Sequence, residues 1–94
     1  MYLRFYMDAN TGLPHIYGHG VTEEECESIL ASPLEDRPSS GDSKIAVGQT
    51  AAGRYLRVVY VPDEVGDGVF VITAYPLEGR QLKALKKRQR RRKR

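Results

Sequence analysis

Lys44-Ile-Ala-Val-Gly48, Arg54-Tyr-Leu-Arg-Val-Val-Tyr-Val61 and Val69-Phe-Val-Ile-Thr-Ala-Tyr75 are the three runs that decide the fold. Each is β-branched and aromatic. Gln49-Thr-Ala-Ala-Gly53 joins the first two, and a glycine-broken polar link from Pro62 to Gly68 joins the last two. Apolar runs of this length, separated by Gly, Pro and Asp, predict a three-stranded antiparallel meander. Nothing else in the chain offers a comparable core, so the remaining elements are expected to pack on these strands. In the middle run Leu56, Val58 and Tyr60 share one face, and Tyr55, Arg57, Val59 and Val61 the other. In the last run Phe70, Ile72 and Ala74 alternate with Val69, Val71, Thr73 and Tyr75. The wholly apolar rows are expected to meet a helix. The rows holding Arg57, Thr73 and Tyr75 are expected to form a more polar, partly open face.

That helix is predicted to begin after Thr22. Thr22 is a good N-cap and Glu25, three residues on, completes a capping box, with Val21 placed as a hydrophobic staple against Cys26. Glu23, Glu24 and Glu25 suit the positive end of the helix dipole. Cys26, Ile29 and Leu30 form the apolar stripe, and Ser32-Pro33 stops the helix. Tyr2-Leu-Arg-Phe-Tyr6 reads as a short strand with Leu3 and Phe5 on one side. Asp8 to Gly12 is a turn, and Leu13 to Gly20, with His15 and His19, is irregular. Pro33 to Asp42 reads as a polar loop. The expected class is α+β: a small antiparallel sheet, made of the N-terminal strand and the meander, packed on one helix.

The chain has 94 residues, enough for one domain, and its 40% hydrophobic and 29% charged residues fit an ordinary folded protein. No run of ~18 apolar residues suggests a membrane span, and the N-terminus lacks the pattern of a signal peptide. With one cysteine, Cys26, no internal disulfide framework is possible. A cytoplasmic location is the expectation. Of the fifteen Lys and Arg residues, ten fall in 80–94, which holds no acid; the other five face all twelve acids. Residues 1–79, the expected globule, thus carry about −7 and the tail, 80–94, +10. Such a split points to a polyanionic partner for the tail, with RNA, DNA or anionic lipid as the candidates; on a nucleic acid the attraction has steep salt dependence and no sequence code. It also permits the tail to fold back on its own acids. Leu82 and Leu85 can seat the start of a second helix, while the tail beyond Lys86 has nothing apolar to bury and is expected to fray.

No metal or other cofactor is expected. His15 and His19 straddle Gly18 before the helix cap, and no ligand motif joins them to Cys26, which belongs to an apolar stripe. Ribonuclease chemistry without metal needs a base for the 2′-hydroxyl, cations for the phosphate and an acid for the leaving oxygen, which Arg, Lys, His and Tyr can supply. The open face supplies Arg57 and Tyr75, with Arg54 and Lys44 expected near its edge and His15 or His19 in reach; the candidate catalytic residues are Arg57, Tyr75, Arg54 and His19. The candidate nucleic-acid contacts are Lys44, Lys86, Lys87, Arg88, Arg90, Arg91 and Arg92. Tyrosines can also stack on unpaired bases. The bland reading of Arg57 and Tyr75 is a solvated sheet face covering apolar neighbours.

Several segments together resemble one family. They are His19-Gly-Val-Thr-Glu-Glu-Glu25, Ala31-Ser-Pro33, Ile45-Ala-Val-Gly-Gln-Thr-Ala-Ala-Gly-Arg-Tyr-Leu-Arg-Val-Val-Tyr60 and Val71-Ile-Thr-Ala-Tyr75. This pattern, from His15 to Tyr75, resembles the BrnT group of bacterial toxins. The resemblance implies a RelE-like fold and an mRNA endonuclease, ribosome-linked or free, held by a cognate antitoxin in a type II toxin–antitoxin pair. It carries over Arg54 and, on the preceding strand, Lys44. The BrnT-like last strand opens with arginine and closes Ser-Ala-Arg, where this chain has Phe70 and Thr73-Ala74-Tyr75, so two cations are missing. The Thr-Ala-Tyr ending is similar to a neighbouring group of small bacterial domains of unassigned activity. The expected function is therefore an RNA-binding, toxin-like protein with metal-independent endoribonuclease chemistry. The alternative is a non-catalytic nucleic-acid-binding or adaptor protein on the same fold.

Overall fold

A computed structural model describes residues 1–92; the last two residues of the basic tail, 93 and 94, lie outside the described residues. The class is α+β. The strands are β1 (Tyr2–Phe5), β2 (Glu35–Pro38), β3 (Lys44–Gln49), β4 (Tyr55–Pro62) and β5 (Gly68–Pro76). A 3-10 helix (His15–His19) and α1 (Glu23–Ala31) separate β1 from β2, and α2 (Gly79–Arg92) follows β5. The sheet order is β1-β5-β4-β3-β2. The meander β3–β4–β5 is antiparallel, whereas β1 lies parallel to β5, so the sheet is mixed rather than wholly antiparallel.

β2 corrects the expectation of a loop between Pro33 and Asp42. Glu35-Asp-Arg-Pro38 pairs antiparallel with β3. It is a short, charged, proline-ended strand at the sheet margin, a composition that discourages further pairing and also resembles a loop.

The capping box forms as expected. Thr22 Oγ1 accepts from the Glu25 N–H at 3.1 Å, and Glu25 Oε1 accepts from the Thr22 N–H at 3.0 Å. α1 packs Cys26 and Ile29 on Ala46, Leu56, Val58, Tyr60, Val69, Val71 and Ala74. Gly48 permits this approach, because a Cβ there would stand only 3.2 Å from Ile29 Cδ1.

The expected β5 rows need correction. Val59 pairs with Thr73 but Tyr60 pairs with Val71, so Ile72 is an extra residue and β5 bulges. The bulge reverses the alternation. Val69 and Val71 turn inward to α1 in place of Phe70 and Ile72. Ala74 stays inward, and Thr73 and Tyr75 come out on the opposite face.

That opposite face is not open throughout. α2 lies across its β3–β4 half, with Leu85 fully buried; Leu85 and Leu82, with Leu77 just ahead of the helix, pack against Val47, Ile45 and Tyr55. Beyond Lys86, where fraying was expected, the helix continues to Arg92. Arg88 holds it down: its Nε donates to Glu35 Oε2 at 2.6 Å and its Nη2 to Oε1 at 2.9 Å. Arg92 Nη1 donates to the Leu34 carbonyl at 3.2 Å. Glu35 is buried, and the Arg88 guanidinium holds its carboxyl below the usual range.

Leu85→Ala should lower stability by about 2–5 kcal/mol in chemical denaturation. Arg88→Ala should cost less, about 1–2 kcal/mol, because Arg88 is itself nearly half exposed. Since the Glu35 carboxyl is depressed when folded, its stabilising share is complete above the ordinary carboxylate pKa. It is lost as pH falls below about 4.5. The Glu35→Gln chain should accordingly show a smaller loss of stability on acidification.

Candidate nucleic-acid interface

On the face away from α1, β4 presents Arg57 and β5 presents Tyr75 directly opposite it in the pairing. Arg57 Nη1 donates to Tyr75 Oη at 3.2 Å, and the guanidinium carbon lies 6.0 Å from the Tyr75 ring centre. The 3-10 helix packs on β5 and adds the next members. His19 and Tyr75 ring centres are 5.9 Å apart, His15 and His19 5.2 Å, and Tyr6 and His15 5.9 Å. Tyr6, His15, His19, Tyr75 and Arg57 thus form one continuous row. Asp8 Oδ2 stands 3.9 Å from His15 Nδ1 at its far end.

The row exists because the 3-10 helix is anchored on both sides. Ile16 is buried in the α1 core, the His15 N–H donates to the Tyr6 carbonyl at 2.8 Å, and Gly20, at φ 72°, closes the turn. Tyr6 is half exposed and His19 is exposed. Chemically the row offers two imidazoles able to take or give a proton, two phenols, one guanidinium and three types of flat surface for stacking.

Of the sequence candidates, Arg57, Tyr75 and His19 come together. Arg54 does not join them. Its Nη1 donates to the Gly20 carbonyl at 3.0 Å and to both Glu25 oxygens at 2.9 and 2.8 Å, on the α1 side. Burial would raise the Glu25 pKa, but the Thr22 N–H and the Arg54 guanidinium outweigh it and hold the carboxyl low. Arg54 thus fastens the start of β4 to the capping box. Lys44 is placed on the α1 face rather than near the Arg57 face, opposite Tyr60, with Asp36 Oδ2 3.6 Å away. Tyr60 Oη donates to the same carboxylate at 2.8 Å, and burial, then Asp36, pushes its pKa up.

His15, which the sequence reading placed in reach of this face alongside His19, joins the row, and Tyr6 completes it without having been among the named candidates. For Tyr6 the signal was its place, one residue past β1, in the alternating row with Tyr2 and Arg4. Cys26 is buried, and burial pushes its thiol up to about 12, a packing role rather than a nucleophile's.

The tail cations divide by helix geometry. Arg88 and Arg92 turn to the body as described, and Lys86 Nζ lies 5.4 Å from the Tyr55 ring centre. Arg80, Lys83, Lys87, Arg90 and Arg91 recur at spacings of three and four and are exposed, which makes a basic stripe along the outer side of α2. Glu23, Glu24 and Glu27 are exposed on α1, on the other side of the sheet.

Arg54→Ala should destabilise the fold by about 1–2 kcal/mol through the loosened α1 entrance, measured by denaturant titration. Cys26 in the native chain should resist thiol reagents at neutral pH and react only on unfolding.

No family model matches the chain, and no curated protein or solved structure is detectably similar to it.

Proposed function

We propose that this chain is an RNA-binding protein of the toxin–antitoxin type, a BrnT-like endoribonuclease on a RelE-like scaffold that cleaves without metal. The observation that carries this reading is the Arg57–Tyr75–His19 row, on the same side of the sheet as the basic stripe of α2. In the proposed reaction a neutral imidazole, His19, takes the proton of a ribose 2′-hydroxyl. The 2′-oxygen attacks the adjacent phosphorus, Arg57 balances the charge that builds on the phosphoryl oxygens, and Tyr75 gives its proton to the departing 5′-oxygen. The products are a 2′,3′-cyclic phosphate and a 5′-hydroxyl. The α2 stripe supplies the attraction to mRNA or the ribosome, and Tyr6 and His15 offer stacking surfaces for flanking bases. A cognate antitoxin with an acidic or amphipathic segment would cover the row. The proposed location is the bacterial cytoplasm; no helix among the described residues is long and apolar enough to cross a membrane.

A second reading, a non-catalytic RNA-binding or adaptor protein, is favoured by two observations. Phe70 and Tyr75 stand where the resembled toxins carry cations, and α2 lies over part of the Arg57 face.

Induced expression in bacteria separates the two. The enzyme reading expects growth arrest with mRNA fragments ending in cyclic phosphate. Arg57→Gln should lower cleavage about 10²–10³-fold and Tyr75→Phe at least about 10²-fold. Normal growth with intact mRNA leaves the binder. Either reading expects Lys83, Lys87, Arg90 and Arg91, changed together to Gln, to weaken RNA binding. The slope of log affinity against log salt should become shallower by up to about 3, at roughly 0.7 per released contact on a single strand.

A further inference from the structure

Between the inner side of α2 and the sheet beneath it lies a partly open cavity of about 130 Å³. Its polar lining is Arg37 from β2, Arg57 from β4, and Gln81 and Arg88 from α2, over an apolar floor of Val47 and Leu77. No acid lines it among the described residues. Glu35 stands beside it and takes Arg88 through two bonds and Arg37 through one at 3.2 Å. A single carboxylate therefore serves two of three guanidinium groups, which leaves an excess of two positive charges. Arg57 spends Nη1 on Tyr75, while its Nε is buried and has no hydrogen-bond partner among the described residues. A buried charged donor without an acceptor is an unusual feature in a folded chain.

We propose that this cavity binds one tetrahedral oxyanion, a phosphate, between Arg57, Arg37 and Arg88. Arginine suits the task, because its planar fork matches two phosphate oxygens at once. The volume falls below the ~300–1,000 Å³ typical of sites for drug-sized ligands, so it fits a phosphate group and not a whole nucleotide. Two sources share this chemistry: free inorganic phosphate and the terminal phosphoryl group of an RNA strand. Because the three arginines come from two strands and a helix, the bound anion ties α2 to the sheet. The site meets the proposed cleavage row at Arg57, but it stands whether or not the chain cuts RNA.

The test is calorimetric titration of the full chain with inorganic phosphate at constant ionic strength, alongside hydrogen exchange over residues 79–92. The expected result is saturable one-to-one binding with slower exchange in α2. Arg57→Gln should weaken binding about tenfold or more, and Arg37→Gln should weaken it measurably. Arg4→Gln, which removes a cation remote from the cavity, should leave it unchanged. If Arg57→Gln does not fold, Arg57→Lys keeps the charge but not the fork, and should still lose most of the affinity. An oligoribonucleotide ending in a 3′-phosphate that outcompetes phosphate, when its 3′-hydroxyl twin does not, assigns the site to RNA ends; equal behaviour of the two assigns it to the free ion. Absence of saturable binding overturns the proposal, as does affinity undiminished in both Arg57→Gln and Arg37→Gln.

Discussion

One extra residue in β5 sets the arrangement of both faces of the sheet. A regular strand would keep Val69, Val71, Thr73 and Tyr75 in a single row. Seating Val69 and Val71 in the core would then bury the Tyr75 phenol under α1. Exposing Tyr75 would instead turn two valines to the far side. The bulge at Ile72 removes the conflict, with the valines against Ile29 and Cys26 and Tyr75 out beside Arg57. The local loss of pairing is offset by the burial of both valines. The fold and the candidate site thus share one origin.

The second constraint is electrostatic. A 14-residue helix with eight Lys and Arg repels itself, and Leu82 and Leu85 give it only a narrow apolar seat. It is held because its cations are unequally used. Arg88 meets a buried carboxylate on β2, Arg92 a backbone carbonyl next to it, and Lys86 an aromatic face. These anchors fall in the second half of the helix, where positive charge is also favoured by the dipole. One buried acid, one carbonyl and one aromatic ring of the body thereby order part of the tail and leave five cations pointing away.

The parts legible in the sequence were those encoded by neighbours in the chain. Thr22 and Glu25 announced the start of α1, Pro33 its end, and the β-branched runs the meander. What escaped depended on distant partners. Glu35-Asp-Arg-Pro38 has no apolar rhythm, and only β3 and Arg88 make it a strand. The bulge was hidden because Phe70, Ile72, Val69 and Val71 are all apolar, so both rows of β5 looked fit for the core. Lys44 fell on the wrong face for the same reason: its neighbours Ile45, Ala46 and Val47 could be buried either way. At the site, the pairing of Arg57 with Tyr75 followed from strand adjacency, while the approach of His15 and Tyr6 required the 3-10 helix to dock on β5.

Placing α1 and α2 on opposite sides of a thin sheet has a directional effect. Three exposed glutamates point one way and five cations the other, so the molecule carries a permanent electric dipole running through the sheet. In the field of a polyelectrolyte such a particle turns before it touches, and it arrives cation side first. The glutamate side then faces the solvent, so a docked molecule turns an acidic outer surface to whatever comes next.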